Sequence, residues 1–529
     1  MGAIPEEQRS SLLTIYWERN NVLKTFASVY IGSYEIVCKI FEISKEKKLK
    51  EIDCLRTWCG ISKDVMDEKR ISSETLSKIL QTLKDMKQTI STYKCNQFRI
   101  FAGYTLQNAK NYDFVLDQIK LKLNLKINVL TNSEQRFFSY LALSSATDFE
   151  DIISNSALLI DIGGASIQLT LFEEGEIVTT EHLLLGATKI LDHMSLLKDK
   201  KDANAIISEI IKKELTSFTN IYFKTKNPEY LILLNDQIHS VANKLPVKSK
   251  NHIISNEEYA TVMDKLKKKQ LYSVISESFE YETDDEMLMP FILLYQNILE
   301  MIIPDKIMIP GVSVPEGIAY RYAYEERILK APHDFDEDVL SASWAIARRY
   351  DSFIPHLKAL QSISLQIFDM VKKIHHLNNR DRLLMQVVCI LHDCGKYISI
   401  SEASQCTYTI IMASEILGLT HKERLMVAYV CSTNRGKEMA YEDMASEFHP
   451  EDYMKYLKLL AILRVANAMD KSHKQKFNKI NMSLKDDILS IAIETKDSME
   501  LERGMFDSKA KFFEDVFAIR PVIYEKRKA

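Results

Sequence analysis

The 529-residue sequence has no paired Cys-x-x-Cys spacing, no long apolar run, no low-complexity linker and no excess of basic charge. Each absence removes a class of answers. Its eight cysteines (Cys38, Cys54, Cys59, Cys95, Cys389, Cys394, Cys406 and Cys431) are scattered, which argues against a disulfide frame or a zinc ribbon. With no basic-plus-apolar leader at the start of the sequence, reduced thiols in a cytoplasmic protein are expected. The 69 basic and 73 acidic side chains give a net charge of −4, so no global positive field recruits nucleic acid or an anionic membrane. A polyanion would have to be caught by a local site. No apolar run reaches the roughly 18 residues of a membrane span. The nearest, FASVYIGSYEIVCKIF, is interrupted by charges and glycine. Without a Pro-rich linker, the parts of the chain are expected to pack against one another.

What is present is enough apolar residue for several cores: 46% hydrophobic over a length too great for one domain. Residues 8–24 read as a short amphipathic helix, giving an N-terminal helical segment over 1–25. From there to about residue 320, β-branched runs alternate with helical patterns: FASVYIGSYEIVCKIFEI, TLSKILQTLKDMKQT, QFRIFAG, FVLDQIKLKLN and INVLT. That order suits an α/β domain with a mixed sheet. A second copy of the pattern begins at ALLIDIGGASIQLTLF, with an apolar strand, a glycine turn and an apolar strand again. The α/β part therefore divides into two lobes of like design, 26–130 and 131–325. Residues 332–475 carry long helical periodicity and form an all-α domain, and 476–529 return to strands around a helix, a small α/β unit.

In DIGGASIQL, Gly163 and Gly164 lack the Cβ that would keep a bound anion away from backbone N–H groups. Asp161, ending a buried strand, is placed to hold Mg²⁺ or its water, and Ser166 to donate to a phosphate oxygen. Taken alone, the same residues also suit an ordinary hairpin turn with a loop-capping aspartate.

The order YIGSYE, DIGGAS, LLLGATKI, PGVSVPEGIAYRYA, followed by FDMVKKIH, LLMQVVCILHDCGKYIS and FFEDVFAIRPVI, resembles the exopolyphosphatase and guanosine pentaphosphate phosphohydrolase (Ppx/GppA) family over nearly the whole chain. The resemblance implies a two-lobed actin/Hsp70/sugar-kinase-like (ribonuclease H-like) N-terminal half, then an all-α HD-type domain and the small α/β C-terminal unit. It also implies a ligand, inorganic polyphosphate or pppGpp, in the cleft between the lobes, with Mg²⁺ or Mn²⁺ and carboxylates directing water at the terminal phosphorus. The matching turns make Gly32, Ser33, Gly163, Gly164, Ser166, Gly186 and Gly317 the expected phosphate-binding positions, and Asp161 a metal ligand. Homodimers are common in such a family, so a homodimer is the expectation here by analogy.

The chain departs from the family pattern at the chemistry. Where D-x-G-S-N-S is usual it has Tyr30-Ile31-Gly32-Ser33-Tyr34-Glu35, and the first-lobe acid is gone. Where S-G-x-E-E-A-R is usual it has Thr131-Asn132-Ser133-Glu134-Gln135-Arg136-Phe137, so the water-activating glutamate is Gln135. An amide can orient water but cannot take its proton. The acid of D-I-G-G-G-S-T-E-L becomes Gln168, the arginine of G-T-x-x-x-R is missing after Gly103, a later Gly-Gly turn is Asn235-Asp236, and R-E-G reads Pro315-Glu316-Gly317. Glu134 and Gln135 remain the candidates for the water-handling role, with Glu35 the other neighbouring carboxylate. A cleft that binds and regulates without turnover is the alternative.

In the helical domain, His392-Asp393 follows His356 by one helix, and Asn467 or Asp470 lies further on. A histidine, an adjacent His-Asp pair and a distant aspartate are what an HD metal phosphohydrolase requires. Of the two, Asp470 is the better ligand. A His–Asp hydrogen bond that clamps helices fits the same residues. His375, His376 and His473 are expected at exposed helix ends, and Cys389 and Cys394 in the core.

Overall fold

The computed structural model describes residues 22–44, 47–95, 97–164, 166–223, 227–234, 253–255, 257–258, 285–477 and 479–527. The expected first helix, up to residue 21, and the Asn235-Asp236 turn lie outside the described residues; from Val22 onward the chain is already strand. Two compact units are present. One comprises the chain to Gly175 with Glu181–Asp334, and the other Phe335 onward with Glu176–Thr180.

The first unit is built from one strand pattern used twice. Strands β1 (Val22–Ile31), β2 (Glu35–Ser44), β3 (Leu49–Trp58), β4 (Gln97–Ala102) and β5 (Asn128–Val129) form a sheet of order β3-β2-β1-β4-β5. Strands β6 (Ser156–Ile162), β7 (Ile167–Glu173), β8 (Glu176–Leu183), β9 (Tyr230–Leu234), β10 (Ile253–Ser255) and β11 (Lys306–Met308) form the second, of order β10-β11-β9-β6-β7-β8. In both, an antiparallel hairpin is followed by a parallel strand on the far side of its first member, β1 beside β4 and β6 beside β9. Strand β7 (IQLTLFE) is buried up to its last residue, with Ile167, Leu169 and Leu171 alternating with Gln168, Thr170 and Phe172.

The duplication extends to single hydrogen bonds. Gly32 N donates to Glu35 O (2.8 Å) and Gly163 N to Ser166 O (2.9 Å), closing the two hairpin turns alike. The carbonyls of each turn then accept from a downstream glycine segment: Tyr34 O from Cys59 N and Gly60 N, Gly163 O from Ala187 N, and Gly164 O from Thr188 N.

The helix Val314–Glu325, which the sequence pattern places in the second lobe, packs on the first sheet. Val314, Ile318, Ala319, Tyr322 and Ala323 join Phe26, Phe41, Ile43 and Leu130 in one apolar cluster, with the Phe26 and Tyr322 rings stacked at 4.1 Å. Its other side meets the helix Asn132–Ala146, and Gly317 sits where a Cβ would fall on the Phe138 backbone carbonyl. That glycine serves the crossing of two helices.

The second unit is helical from Phe335 to Met469, around a core that includes Leu357, Leu360, Met385, Val388, Leu391 and Leu463, all essentially inaccessible. It ends in strands β12 (Lys479–Lys485), β13 (Ile488–Thr495) and β14 (Arg520–Arg527), with the helix Glu500–Phe517 making the parallel β13–β14 crossover.

Candidate functional sites

The two glycine turns of the first unit face one pocket of about 130 Å³. Gly32, Ser33, Gln135, Asp161, Gly163 and Gly164 all line it, so six of the positions singled out from the sequence converge there. Burial pushes the Asp161 carboxyl up from the ordinary carboxylate value, and Arg136 pulls it the other way. Ser33 Oγ is 2.6 Å from Thr105 Oγ1, tying the first turn to the short helix after β4.

The other expected positions are engaged elsewhere. Glu134 closes a capping box: its Oε2 accepts from Thr131 N (2.9 Å) and Thr131 Oγ1 (2.8 Å), and it does not line the pocket. Glu35 does line it, but accepts from Arg56 Nη1 at 2.7 Å. Ser166 accepts from the buried Arg136, Nη2 to Oγ 2.7 Å, and Gln168 takes the other guanidinium nitrogen at 2.8 Å. Gly186 is the extended N-cap of the helix Ala187–Leu197, off the pocket wall. Gly317 is spent on helix packing, as described above.

Sequence reasoning missed two tyrosines. Tyr30 and Tyr34 both line the pocket, and their hydroxyls occupy the space that Gly103 and Gly164 leave by having no side chain; a Cβ on either glycine would lie 2.5 Å from the tyrosine oxygen. The signal was present as the replacement of Asp and Asn by Tyr at the first turn. It also missed Lys39, buried and ion-paired with Glu316 and with Glu51 (3.0 Å). Glu316, the acid of the Pro-Glu-Gly turn, thus anchors its helix to β2.

In the second unit, one ligand atom each from His356, His392 and Asp393 lie within 4.8 Å of one another. His356 Nδ1 is 2.7 Å from Asp470 Oδ2, and His392 Nδ1 is 2.9 Å from the carbonyl of Cys389. Each Nδ1 therefore carries the proton, and each buried Nε2, with no hydrogen-bond partner among the described residues, presents a lone pair. Asp470 stands behind His356 and orients it, where the sequence suggested a direct ligand. Burial lowers His392 to about 4. Burial acts upward on Asp393, but His392, Lys396 and Arg435 hold it well below the usual carboxylate range. The donor set of two imidazoles and a carboxylate suits a divalent transition ion.

Two histidines differ from expectation. His375 is buried, Nε2 bonded to Phe368 O at 2.9 Å, and His473 stacks on His356 at 3.7 Å between ring centroids. Cys389 and Cys394 are in the core.

The model of the Ppx/GppA phosphatase family matches residues 43–326, and that of Ppx/GppA phosphatase domain III matches 342–507. The chain belongs to the Ppx/GppA phosphatase family. The guanosine-5'-triphosphate,3'-diphosphate pyrophosphatase of Aliivibrio fischeri is 20% identical over 441 residues, covering 80% of this chain and 82% of its own length. A bifunctional 3-dehydroquinate synthase/phosphatase of Fusobacterium nucleatum is 26% identical over 220 residues, 39% of this chain and 32% of that protein. Among solved structures, the Aquifex aeolicus Ppx/GppA family member is 19% identical with a TM-score of 0.47, covering 57% of this chain and 98% of its own. An exopolyphosphatase from Cytophaga hutchinsonii is 15% identical with a TM-score of 0.48, covering 57% and 98%. Among the described residues of this Ppx/GppA member, no helix is long and apolar enough to cross a membrane.

Proposed function

We propose that this chain is an exopolyphosphatase-like phosphohydrolase whose pocket between the two glycine turns takes the end of a phosphate chain, from inorganic polyphosphate or pppGpp, and hydrolyses it slowly. The observation that carries the reading is that Asp161 and Gln135 line the same pocket, while Glu35 and Glu134 are both engaged by other partners. Family membership supports the phosphate-chain ligand, and Gly32, Ser33, Gly163 and Gly164 offer close backbone approach to it.

A divalent ion fits this wall in part. Asp161 would hold Mg²⁺ or Mn²⁺ together with ligand phosphates and water, as Mg²⁺ sites commonly do. Bound there, the ion would neutralise phosphate charge. Such neutralisation matters because Asp161 and Glu35 are acidic and, among the described residues, no Lys, Arg or His lines the pocket. Gln135 orients water through its amide but accepts no proton, and loss of a general base typically costs about 10²–10⁴ in rate.

The test is phosphate release from polyphosphate and from pppGpp with Mg²⁺ or Mn²⁺, beside calorimetric binding, for the protein and Asp161→Asn. Measurable binding that Asp161→Asn abolishes, with slow release, supports the reading. Fast release unaffected by Asp161→Asn refutes it.

A second reading is favoured by the two orphaned imidazole nitrogens: an HD-type metal phosphohydrolase in the helical unit, with His356, His392 and Asp393 holding the ion and Asp470 orienting His356. It predicts stoichiometric Mn²⁺ retained through dialysis and lost in His392→Ala. Absence of retained metal in the folded protein eliminates it.

A further inference from the structure

We propose that Tyr34 is a plug that fills the phosphate seat of the pocket and sets its selectivity against phosphate chains. The proposal rests on the pocket being the ligand site, and it adds what stands between the ligand and that site.

The seat is defined by Gly164 and Thr188. Gly164 has no side chain, and a Cβ built there would meet Tyr34 Oη at 2.5 Å and Thr188 Oγ1 at 2.9 Å. Thr188 lies in the first turn of the helix Ala187–Leu197, directly after the glycine N-cap Gly186. Bare backbone beside a hydroxyl makes a place for a phosphate oxygen, while the N–H groups of Ala187 and Thr188 are taken by the Gly163 and Gly164 carbonyls. The atom found there belongs to the protein. Tyr34 Oη sits 3.0 Å from Thr188 Oγ1 in a buried hydrogen bond.

Several contacts keep it in place. The Tyr34 ring stacks on Trp58 at 5.7 Å between centroids and 9° between planes. Its carbonyl accepts from Cys59 N (2.7 Å) and Gly60 N (3.1 Å), which fixes the backbone from which the ring is thrown across to the second turn. Only 8% of the residue is exposed. Burial raises the phenol to about 12, so the oxygen stays protonated and neutral at working pH. A neutral hydroxyl in the seat needs no counter-charge, consistent with a lining that, among the described residues, contains acids and no Lys, Arg or His.

A phosphate chain must therefore displace Tyr34, breaking one buried hydrogen bond and one ring stack. Together these reduce affinity by about ten- to a hundredfold relative to an open seat. Smaller or uncharged polar ligands that stop short of Gly164 escape that penalty, which makes Tyr34 a specificity-determining residue.

The experiment is titration calorimetry of inorganic tripolyphosphate with Mg²⁺ into the intact chain and into Tyr34→Ala, Tyr34→Phe and Asp161→Asn, each checked for cooperative melting. Tyr34→Ala should bind about ten- to a hundredfold more tightly than the unaltered chain, and Tyr34→Phe, which keeps the ring on Trp58 but vacates the oxygen's place, by a smaller factor. If Tyr34→Ala does not fold, the gain in Tyr34→Phe carries the test. Unchanged affinity in both tyrosine variants, with binding still abolished by Asp161→Asn, overturns the plug and leaves the pocket reading intact. No binding by any folded variant overturns both.

Discussion

Gln135→Glu is the substitution that most directly asks whether the pocket of the first unit retains the geometry for phosphate hydrolysis. The two side chains are nearly the same shape, so the carboxylate enters where the amide already lies, in the pocket that Asp161 also lines. General-base assistance is worth about 10²–10⁴ in rate, or roughly 3–5 kcal/mol of barrier. Part of that gain is offset, because the new carboxylate joins Asp161 and Glu35 on the lining, and like charges disfavour ionisation. A net rise of about tenfold to a hundredfold in phosphate release from tripolyphosphate is therefore expected with saturating Mg²⁺. The rate should climb with pH until the new acid is fully ionised. The assay is release of inorganic phosphate under single-turnover conditions across about pH 6–9, the range that brackets a group tuned near neutrality. Unchanged release at every pH, in a variant that still binds ligand, would show that Gln135 is not aimed at the reacting water and would sink the argument.

Four further outcomes follow from packing and charge. Replacing Gly317 with Ala drives a methyl onto the Phe138 backbone carbonyl, where no side chain can move aside, and should cost about 1–3 kcal/mol or more in calorimetric stability. By contrast Gly504→Ala, in the middle of the helix Glu500–Phe517 with open space around it, should stabilise by roughly 0.5–1 kcal/mol, and a loss there would contradict the helix assignment. Lys39→Met strands Glu316 and part of Glu51 beside a buried aliphatic chain, so a loss of about 3–5 kcal/mol and a clearly lower melting temperature are expected. A near-zero shift would mean that the pair contributes nothing net. His375 is held below its ordinary value by burial, so the unfolded chain takes up its proton first as pH falls. Its contribution is complete above about pH 6.5 and is lost as the medium acidifies toward the lower folded value. Thermal melts of the protein and His375→Gln between neutral pH and about pH 5 should converge on the acid side if this sign is right.

The fold was legible because it rests on period and punctuation. The runs flanking Gly32 and Gly163 are apolar enough to be central strands, and the turn glycines announce both hairpins, so the duplicated α/β design follows from the pattern. Chain order puts the helix Val314–Glu325 within the second-lobe stretch 131–325 and says nothing about which sheet it covers; its packing on the first sheet, with Tyr322 against Phe26, is visible only in space. Likewise Gly317 in a Pro-Glu-Gly turn looks the same in sequence whether its missing Cβ admits a phosphate or another helix.

At the pocket, a sequence pattern can show that Asp and Asn have become Tyr30 and Tyr34, yet only distance shows what the change does. Residues 34 and 164 are far apart in the chain, and the contact of a phenol oxygen with Thr188 over a bare glycine is a tertiary fact. The same holds for Asp470, whose spacing from His356 suits a metal ligand. Its carboxylate instead meets the protonated ring nitrogen at 2.7 Å and turns the other nitrogen inward. Residue type and order limited which groups could meet; the direction of each polar atom separates a ligand from its support, and a seat from the side chain that fills it.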